Sequence, residues 1–342
     1  MRYHFDAEQE TERLTSWTKE AILTTFKRDG AVVGVSGGVD SATVLYLLVR
    51  ALGAGRVVAL AMPDRDSSPE SAVLARQMAA EHGVELIELD ITPPLAALGC
   101  YEQRDDAVRR AVPGYVPGQD KMKIVLPQDL LGGATLNVFS VVVIKPDGEE
   151  IRRRLRPAEF NDIVSASNLK QRVRMMSLYR EAERRNYAVA GTAQKNEHEL
   201  GFFVKYGDGG ADLQPLHHLY KTQVYHIAEC LGVPATIRQR QPTTDTYSAE
   251  CTQEEFFYRL PFDVLDAMWE SDERGHSAEE IASDLKLTVK QVENALFDIH
   301  RKKATTEFLR TPPLAPAPMK TRAVDEPEPY AARLHGARRA IL

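Results

Sequence analysis

The sequence predicts an α/β fold: a Rossmann-like parallel sheet flanked by helices, with a β-hairpin insertion and C-terminal helices. Three observations predict it. Short apolar runs such as Ala31-Val32-Val33 and Val57-Val58-Ala59-Leu60-Ala61-Met62 have the length of strands buried on both faces. They alternate with amphipathic stretches of helical period, which calls for parallel strands joined by right-handed crossovers. A Gly/Ser turn, Gly34-Val35-Ser36-Gly37-Gly38-Val39-Asp40-Ser41, joins the first such strand to the first such helix.

Each element follows from its own residues. Residues 7–29 read as a helix with Leu14, Trp17, Ile22, Leu23 and Phe26 on one side. Strand 31–35, helix 41–53, strand 57–62, helix 68–82 and strand 84–89 come next, and helix 168–185 leads to strand 187–191. Ligands in such sheets gather at the carboxyl ends of strands, where both the Ser36 turn and Gly191-Thr192 are expected. Residues 99–160 break the rhythm. There Leu136 to Ile144 form an apolar run, Pro146-Asp147-Gly148-Glu149 a turn, and Ile151 to Leu155 a second strand, so a β-hairpin inside an insertion is expected. The arginines at 152–154 and 156 suit a solvated hairpin edge better than a phosphate patch. Residues 275–303 imitate a helix-turn-helix, and the tail from Thr311 is Pro-rich and expected to be extended. The expected division is an α/β domain over 1–260, a helical segment over 261–310 and a tail over 311–342.

Composition narrows the class. The 342 residues are 43% hydrophobic, enough for a substantial core, and the net charge of −6 argues against nonspecific coating of nucleic acid. Cys100, Cys230 and Cys251 are scattered without metal-ligand spacing, which suits a reducing compartment. Residues 1–6 carry no signal-peptide core, and no apolar run reaches the roughly 18–20 residues that span a bilayer. A cytoplasmic enzyme with no membrane partner is expected.

The 34–41 turn carries the chemistry. A strand, tight turn and helix aim backbone N–H groups and a helix N-terminus at one point, which makes an anion site. Gly37 and Gly38 allow close approach of a phosphate, and Ser36 and Ser41 add hydroxyls. Asp40 is an acid beside an anion site, which makes sense if a divalent cation sits between them. The turn resembles the SGGxDS loop of the ATP-pyrophosphatase (PP-loop) superfamily, of the adenine nucleotide alpha hydrolase-like fold, whose members cleave ATP between the α- and β-phosphates.

A second cluster lies at 191–215, where Gly207, Gly209 and Gly210 alternate with Asp208 and Asp212 behind Lys205. With it the chain resembles the ammonia-dependent NAD synthetase family. The matching pieces are the 36–41 turn, Asn168-Leu169-Lys170-Gln171-Arg172-Val173-Arg174-Met175, Gly191-Thr192 with Glu197, residues 205–212, Leu219-Tyr220-Lys221, and Pro242-Thr243-Thr244-Asp245. The resemblance implies ATP and Mg²⁺, with Gly34, Val35, Ser36, Gly37, Gly38, Val39, Asp40, Ser41, Thr192, Lys221 and Thr243 on ATP. It implies Asp40 and Glu197 on the metal, and Arg172, Lys205 and Asp212 on the dinucleotide. Adenylation of a carboxylate, most simply that of deamido-NAD, would be followed by attack of ammonia. Asp40 and Lys221 would serve the first step, and Asp208 and Asp245 are candidates to deprotonate ammonium. A homodimer is implied, and ammonia would come free or from a separate glutaminase, since neither a fused glutaminase region nor a cysteine at position 2 is present.

Three departures fall on the substrate side: Thr305-Thr306-Glu307-Phe308-Leu309-Arg310 where the family carries a His-Lys pair, Pro242-Thr243-Thr244-Asp245-Thr246 where it carries Pro-Thr-Ala-Asp-Leu, and the 99–160 stretch. They allow a second reading, a paralogue that amidates another carboxylate. A tRNA-modifying relative would want catalytic cysteines or a basic surface. A nucleotide-sensing regulator would read DNA through Lys290, Gln291, Asn294, His300, Arg301 and Lys302, against which Glu293 and Asp298 work.

Overall fold

The computed structural model describes residues 4–126, 130–131, 138–244 and 246–316. In chain order the elements are α1 (Ala7–Glu20), β1 (Ala31–Gly34), α2 (Val39–Leu52), β2 (Val57–Ala61), α3 (Pro69–His82), β3 (Glu85–Glu88), α4 (Thr92–Ala97), α5 (Cys100–Ala111), β4 (Lys121–Val125), β5 (Ser140–Ile144), β6 (Glu150–Arg154), α6 (Pro157–Arg185), β7 (Ala188–Ala190), α7 (Lys195–Leu200), α8 (Lys221–Cys230), α9 (Ala235–Arg238), α10 (Phe262–Glu273), α11 (Ala278–Leu285), α12 (Val289–Thr305) and α13 (Glu307–Arg310). Residues Met1–Arg310 form one compact unit; of the tail expected to be extended, 317–342 lie outside the described residues.

The main sheet runs β3-β2-β1-β7, all parallel, with Val33 level with Ala59 on one side and Ala190 on the other. Alternation of side chains along these strands buries both faces. Ala31 and Val33 pack into the core around α2, while Val32 packs into the core that holds Val173 and Ala182 of α6. Ten of the fourteen residues of α2 are buried. Full burial of Leu45, Leu47 or Leu48 stabilises by roughly 1.5–3 kcal/mol each, so the helix that carries Asp40 is anchored over its whole length.

Three expectations change on the structure. The first helix stops at Glu20 and passes through a π-helical turn, Ala21–Thr25, that buries Ile22. Helix α6 starts at Pro157, well before residue 168, because Pro157 occupies its first turn and Arg156 and Glu159 form its capping box. The 99–160 stretch is more than a hairpin. Strands β4, β5 and β6 make a three-stranded antiparallel sheet, and α5 packs along α6. Residues 136 and 137, placed in the expected strand, lie outside the described residues.

The small sheet has its own core. Met122, Ile124, Val141 and Val143 meet Ala107 and Val108 of α5 and Ile163 of α6, together with Tyr247 and Cys251 from a distant loop. On its outer strand Arg152, Arg153 and Arg154 are exposed, as a charged edge requires. Helices α10, α11 and α12 close on a third core around Trp269, Ile281, Val292 and Ile299, to which Leu200 of α7 belongs. Of the residues a DNA reader would use, Arg301 donates to Asp298 at 2.5 Å, Lys302 to Phe257 O at 2.6 Å, and His300 meets Asp272 at 2.7 Å. Asp298 is buried among them, so this face of α12 is spent on internal pairing.

Candidate active site

From β1 the chain goes to β2 and β3 on one side, and β7 lies on the other. The carboxyl end of β1 is therefore the switch point where a crevice opens between loops that diverge. The 34–41 turn fills that position. Gly37 has φ +77°, and a Cβ there would sit 3.1 Å from Leu74 Cβ and 3.2 Å from Ser71 O, so glycine is required twice over. Gly38 precedes α2 and offers it no side-chain cap, which leaves first-turn N–H groups to a ligand. The turn is braced from inside: Ser41 Oγ accepts from Ser36 N at 3.2 Å and donates to Gly38 O at 3.0 Å.

Asp40 meets Lys221 at the first turn of α8, with Lys221 Nζ donating to Asp40 Oδ2 at 2.5 Å. The Lys221 side chain is 1% exposed. Its backbone is held by Asn196, whose Oδ1 accepts from Lys221 N at 3.1 Å, and Asn196 Nδ2 donates to buried Asp266 at 2.5 Å. Burial pulls the ammonium down, but Asp40, Tyr225 and Glu197 outweigh it and hold it above the ordinary lysine range. Glu197 is half-buried at the start of α7, where Gln194 Oε1 caps the helix and Gln194 N donates to Glu197 Oε2 at 3.3 Å. Burial, and then the charge on Asp40, push Glu197 up to about 8. The other Asp40 oxygen, Oδ1, is buried and has no hydrogen-bond partner. Two acids thus share the charge of Lys221, and Asp40 Oδ1 is left without a hydrogen bond. A hard divalent cation of the Mg²⁺ type fits that donor set. Among the described residues no three His, Cys, Asp or Glu side chains converge, which suits an ion completed by oxygens of a bound phosphate.

Asp208 sits in a loop whose shape it sets itself, its Oδ1 accepting from Val204 N at 2.7 Å. Desolvation by the surrounding loop raises its carboxyl to about 6, against the lowering effect of the Val204 N–H, while the residue as a whole stays exposed in the cleft wall. The cleft encloses about 260 Å³, far more than a single water needs. Of the residues expected on ATP, all but Gly37 line it, and Glu197 and Asp208 line it with them. Gly37 shapes the turn from behind. Arg172, Lys205 and Asp212 are not brought into it. Arg172 Nη2 donates to Lys205 O at 3.4 Å, and Lys205 Nζ donates to Phe308 O at 2.8 Å. Asp212 accepts from Val189 N at 2.8 Å and from Tyr179 Oη at 3.1 Å, bracing the end of β7. Asp245 lies outside the described residues.

The cleft also takes residues to which the sequence reading gave no role. Gln171, Arg174, Met175 and Leu178 line it from α6, and Arg240 and Gln253 from the loops beyond α9. The first four recur at helical spacing, so one face of α6 is the signal that could have found them. Arg240 and Gln253 carry none. The 305–310 segment closes on α7: Arg310 Nη1 donates to Glu199 O at 2.8 Å and His198 O at 3.1 Å. Gly201 has φ +80°, and a Cβ there would lie 2.3 Å from Thr306 Cβ, so these residues are in tight contact.

A parallel sheet with this turn at its switch point, above a lysine and two acids, defines a nucleotide-binding α/β protein of the ATP-pyrophosphatase kind. The comparisons with known proteins are specific. The NAD synthase family model matches residues 10–124 and 136–313, and the chain belongs to that family. It is 44% identical over 315 residues to an NH(3)-dependent NAD(+) synthetase of Rhizobium rhizogenes, covering 92% of this chain and 94% of that protein. The protein of the same name from Thermotoga maritima is 39% identical over 234 residues, 68% of this chain and 77% of that one. Among solved structures, the NH3-dependent NAD synthetase of Campylobacter jejuni superposes with a TM-score of 0.59 at 21% identity, over 92% of this chain and all of that one. The NMN synthetase of Francisella tularensis does so with a TM-score of 0.58 at 22% identity, over 92% and 99%. These two likenesses establish the fold. Among the described residues no helix is long and apolar enough to cross a membrane.

Proposed function

We propose that the chain is an ammonia-dependent NAD synthetase, which adenylates deamido-NAD with ATP and transfers ammonia to it, giving NAD, AMP and pyrophosphate. The observation that carries this reading is the convergence of Asp40, Lys221 and Glu197 beneath the 34–41 turn in a chain of this family. The match to the Rhizobium rhizogenes protein is too long to leave out the 99–160 stretch, so that stretch does not by itself mark another carboxylate. A homodimer belongs to the same reading, supported by family membership alone.

In the first step the substrate carboxylate oxygen attacks the α-phosphorus of ATP, the bond to the bridging oxygen breaks, and pyrophosphate leaves. The N–H groups at the start of α2 and the Lys221 ammonium receive the negative charge that builds on the leaving group. Asp40 and Glu197 would hold Mg²⁺, which supplies charge neutralisation on the phosphates. Asp40 also keeps Lys221 protonated and aimed. In the second step ammonia attacks the acyl carbon and AMP departs. Asp208 is the base for ammonium, since its raised pKa leaves it able both to accept and to release a proton near neutrality.

The test is reconstitution. Purified protein with ATP, Mg²⁺, ammonium and deamido-NAD is expected to yield NAD, AMP and pyrophosphate in equal amounts, and glutamine alone to support no turnover. Pyrophosphate release from ATP with other carboxylates, but no NAD from deamido-NAD, would move the assignment to the paralogue reading.

Asp208 carries its own expectation. At saturating ammonium, kcat should rise as pH climbs through about 6. Asp208→Asn should remove that limb and lower kcat by about 10²–10⁴. A raised carboxyl pKa means that the folded state binds the proton more tightly than the unfolded chain. Its stabilisation is complete below the ordinary carboxylate range and is lost as pH rises to about 6. The Asn variant should therefore lose less stability than wild type between pH 4 and 7 in urea titrations. A full-rate Asn variant with the limb intact would take Asp208 out of the reaction.

A further inference from the structure

We propose that Lys170 is a positioning residue for the nucleotide end of the reaction, holding the cleft wall of Pro242, Thr243 and Thr244, through Thr246, to the loop that follows β2. The proposal rests on the reading above in one respect, that this cleft binds ATP. Lys170 lies on α6 with a side chain 1% exposed. Its Nζ donates to Asp66 Oδ2 at 2.8 Å, to Asp64 Oδ1 at 3.2 Å and to Thr246 O at 2.8 Å. All three ammonium donors are thereby used. The two acids belong to the loop after β2, whose residues Met62, Pro63 and Ser67 line the cleft. Thr246 ends the segment in which Pro242, Thr243 and Thr244 line it. One ammonium ties the two walls together.

The surroundings keep this junction rigid. Asp66 is also held by buried Arg104 of α5, which donates to Asp105 Oδ1 at 2.8 Å. One turn along α6, Arg174 donates to Met62 O at 3.2 Å. Burial raises Asp66, but Lys170 and Arg104 outweigh it and keep its carboxyl below the usual range. The 242–253 segment is laced to itself by Thr244 N to Cys251 O at 2.9 Å and Gln253 N to Pro242 O at 3.0 Å. It is docked on β4 by Ala249 N to Met122 O at 3.0 Å and by Met122 N to Ser248 Oγ at 2.9 Å. The 99–160 region thus acts as a scaffold, through Arg104 and Met122, and Lys170 is where the scaffolded segment meets the wall of the main sheet. A buried ion cluster is a weak device for net stability, since a well-packed apolar core of like volume does as well. What it supplies is one fixed arrangement of its members.

The experiment compares Lys170→Met and Lys170→Arg in the full chain. Thermal melts report folding, calorimetric titration with Mg-ATP reports affinity, and steady-state assays report the separate KM values. Lys170→Met should melt lower, raise both the ATP Kd and its KM by about tenfold, and leave KM for deamido-NAD within about twofold. Lys170→Arg keeps a cation for Asp64 and Asp66 but cannot keep one Nζ at all three acceptors. Its melting temperature should recover while the ATP Kd stays raised. If Lys170→Met does not fold, Lys170→Arg decides alone. A folded variant of either kind with wild-type ATP affinity overturns the proposal. A merely structural role would lower active fraction without moving either KM. Should wild type bind ATP yet make no NAD, the assignment of substrate fails, and the calorimetric comparison still judges Lys170.

Discussion

Replacing Asp40 by asparagine is expected to lower pyrophosphate release from ATP by about 10³ or more, equivalent to roughly 4 kcal/mol of lost transition-state stabilisation. Two functions go with one charge. The carboxylate holds the Lys221 ammonium at 2.5 Å, and its unpartnered Oδ1 is the oxygen a divalent cation would take. The amide can accept a hydrogen bond but brings no charge to either. The fold should survive. Glu197, now pushed up to about 8 by burial and then by the Asp40 charge, would be relieved of that charge, ionise and balance Lys221. Breaking a buried pair outright costs several kcal/mol, but this replacement of one acid by its neighbour should hold the loss to about 1–3 kcal/mol. A pyrophosphate assay, a thermal melt and a calorimetric titration with Mg²⁺ in the presence of ATP check the three parts. An asparagine variant that turns over at the wild-type rate would remove Asp40 from both functions.

Lys221→Met should have an effect of the same order on kcat/KM for ATP, about 10³, with a different signature in stability. Removing the ammonium leaves Asp40 and Glu197 facing each other with no cation, and the pair must then keep a proton. The sign follows from linkage: an acid whose folded pKa is raised gives stability that is present at low pH and lost as pH rises. The variant should therefore melt close to wild type at pH 5 and fall behind it progressively toward pH 8–9. Saturating Mg²⁺ should recover part of the lost melting temperature without restoring turnover, because the ion neutralises the acids but does not replace the ammonium at the phosphates. Melting curves that run parallel to wild type across this range would mean that Lys221 does not neutralise the acid pair.

The strands and the site turn were legible because both are written in local residue order. Ala31-Val32-Val33 can be buried on both faces only in a covered parallel sheet, and Gly37 and Gly38 permit a backbone path that other residues resist. The start of α6 is also written locally, in Pro157 and the Arg156–Glu159 capping box, well ahead of the expected start at residue 168. The inner face of α6 was legible in principle. Gln171, Arg174, Met175 and Leu178 recur at the spacing of one helix face, whereas Arg172 points elsewhere and donates to Lys205 O. Asp212 shows the opposite case. The resemblance implies a place for it on the dinucleotide, and in the structure its carboxylate accepts from Val189 N of β7.

The third strand of the small sheet and its use were not legible at all. Tyr247 and Cys251 enter its core from more than a hundred residues away, and nothing in the residues around β4 announces them. The same holds for Lys170, whose three acceptors come from the loop after β2 and from the segment after α9. By itself the sequence determined the parallel sheet, the phosphate-binding turn and the family's set of acids and lysine, because period, turn chemistry and motif act over a few neighbouring residues. The tertiary structure alone decided which charges are buried together, which of them remain short of a partner, and that Lys170 reaches Asp64, Asp66 and Thr246 at once. Those outcomes depend on burial and on distances between segments remote in the chain, and both arise only once the helices and sheets have packed.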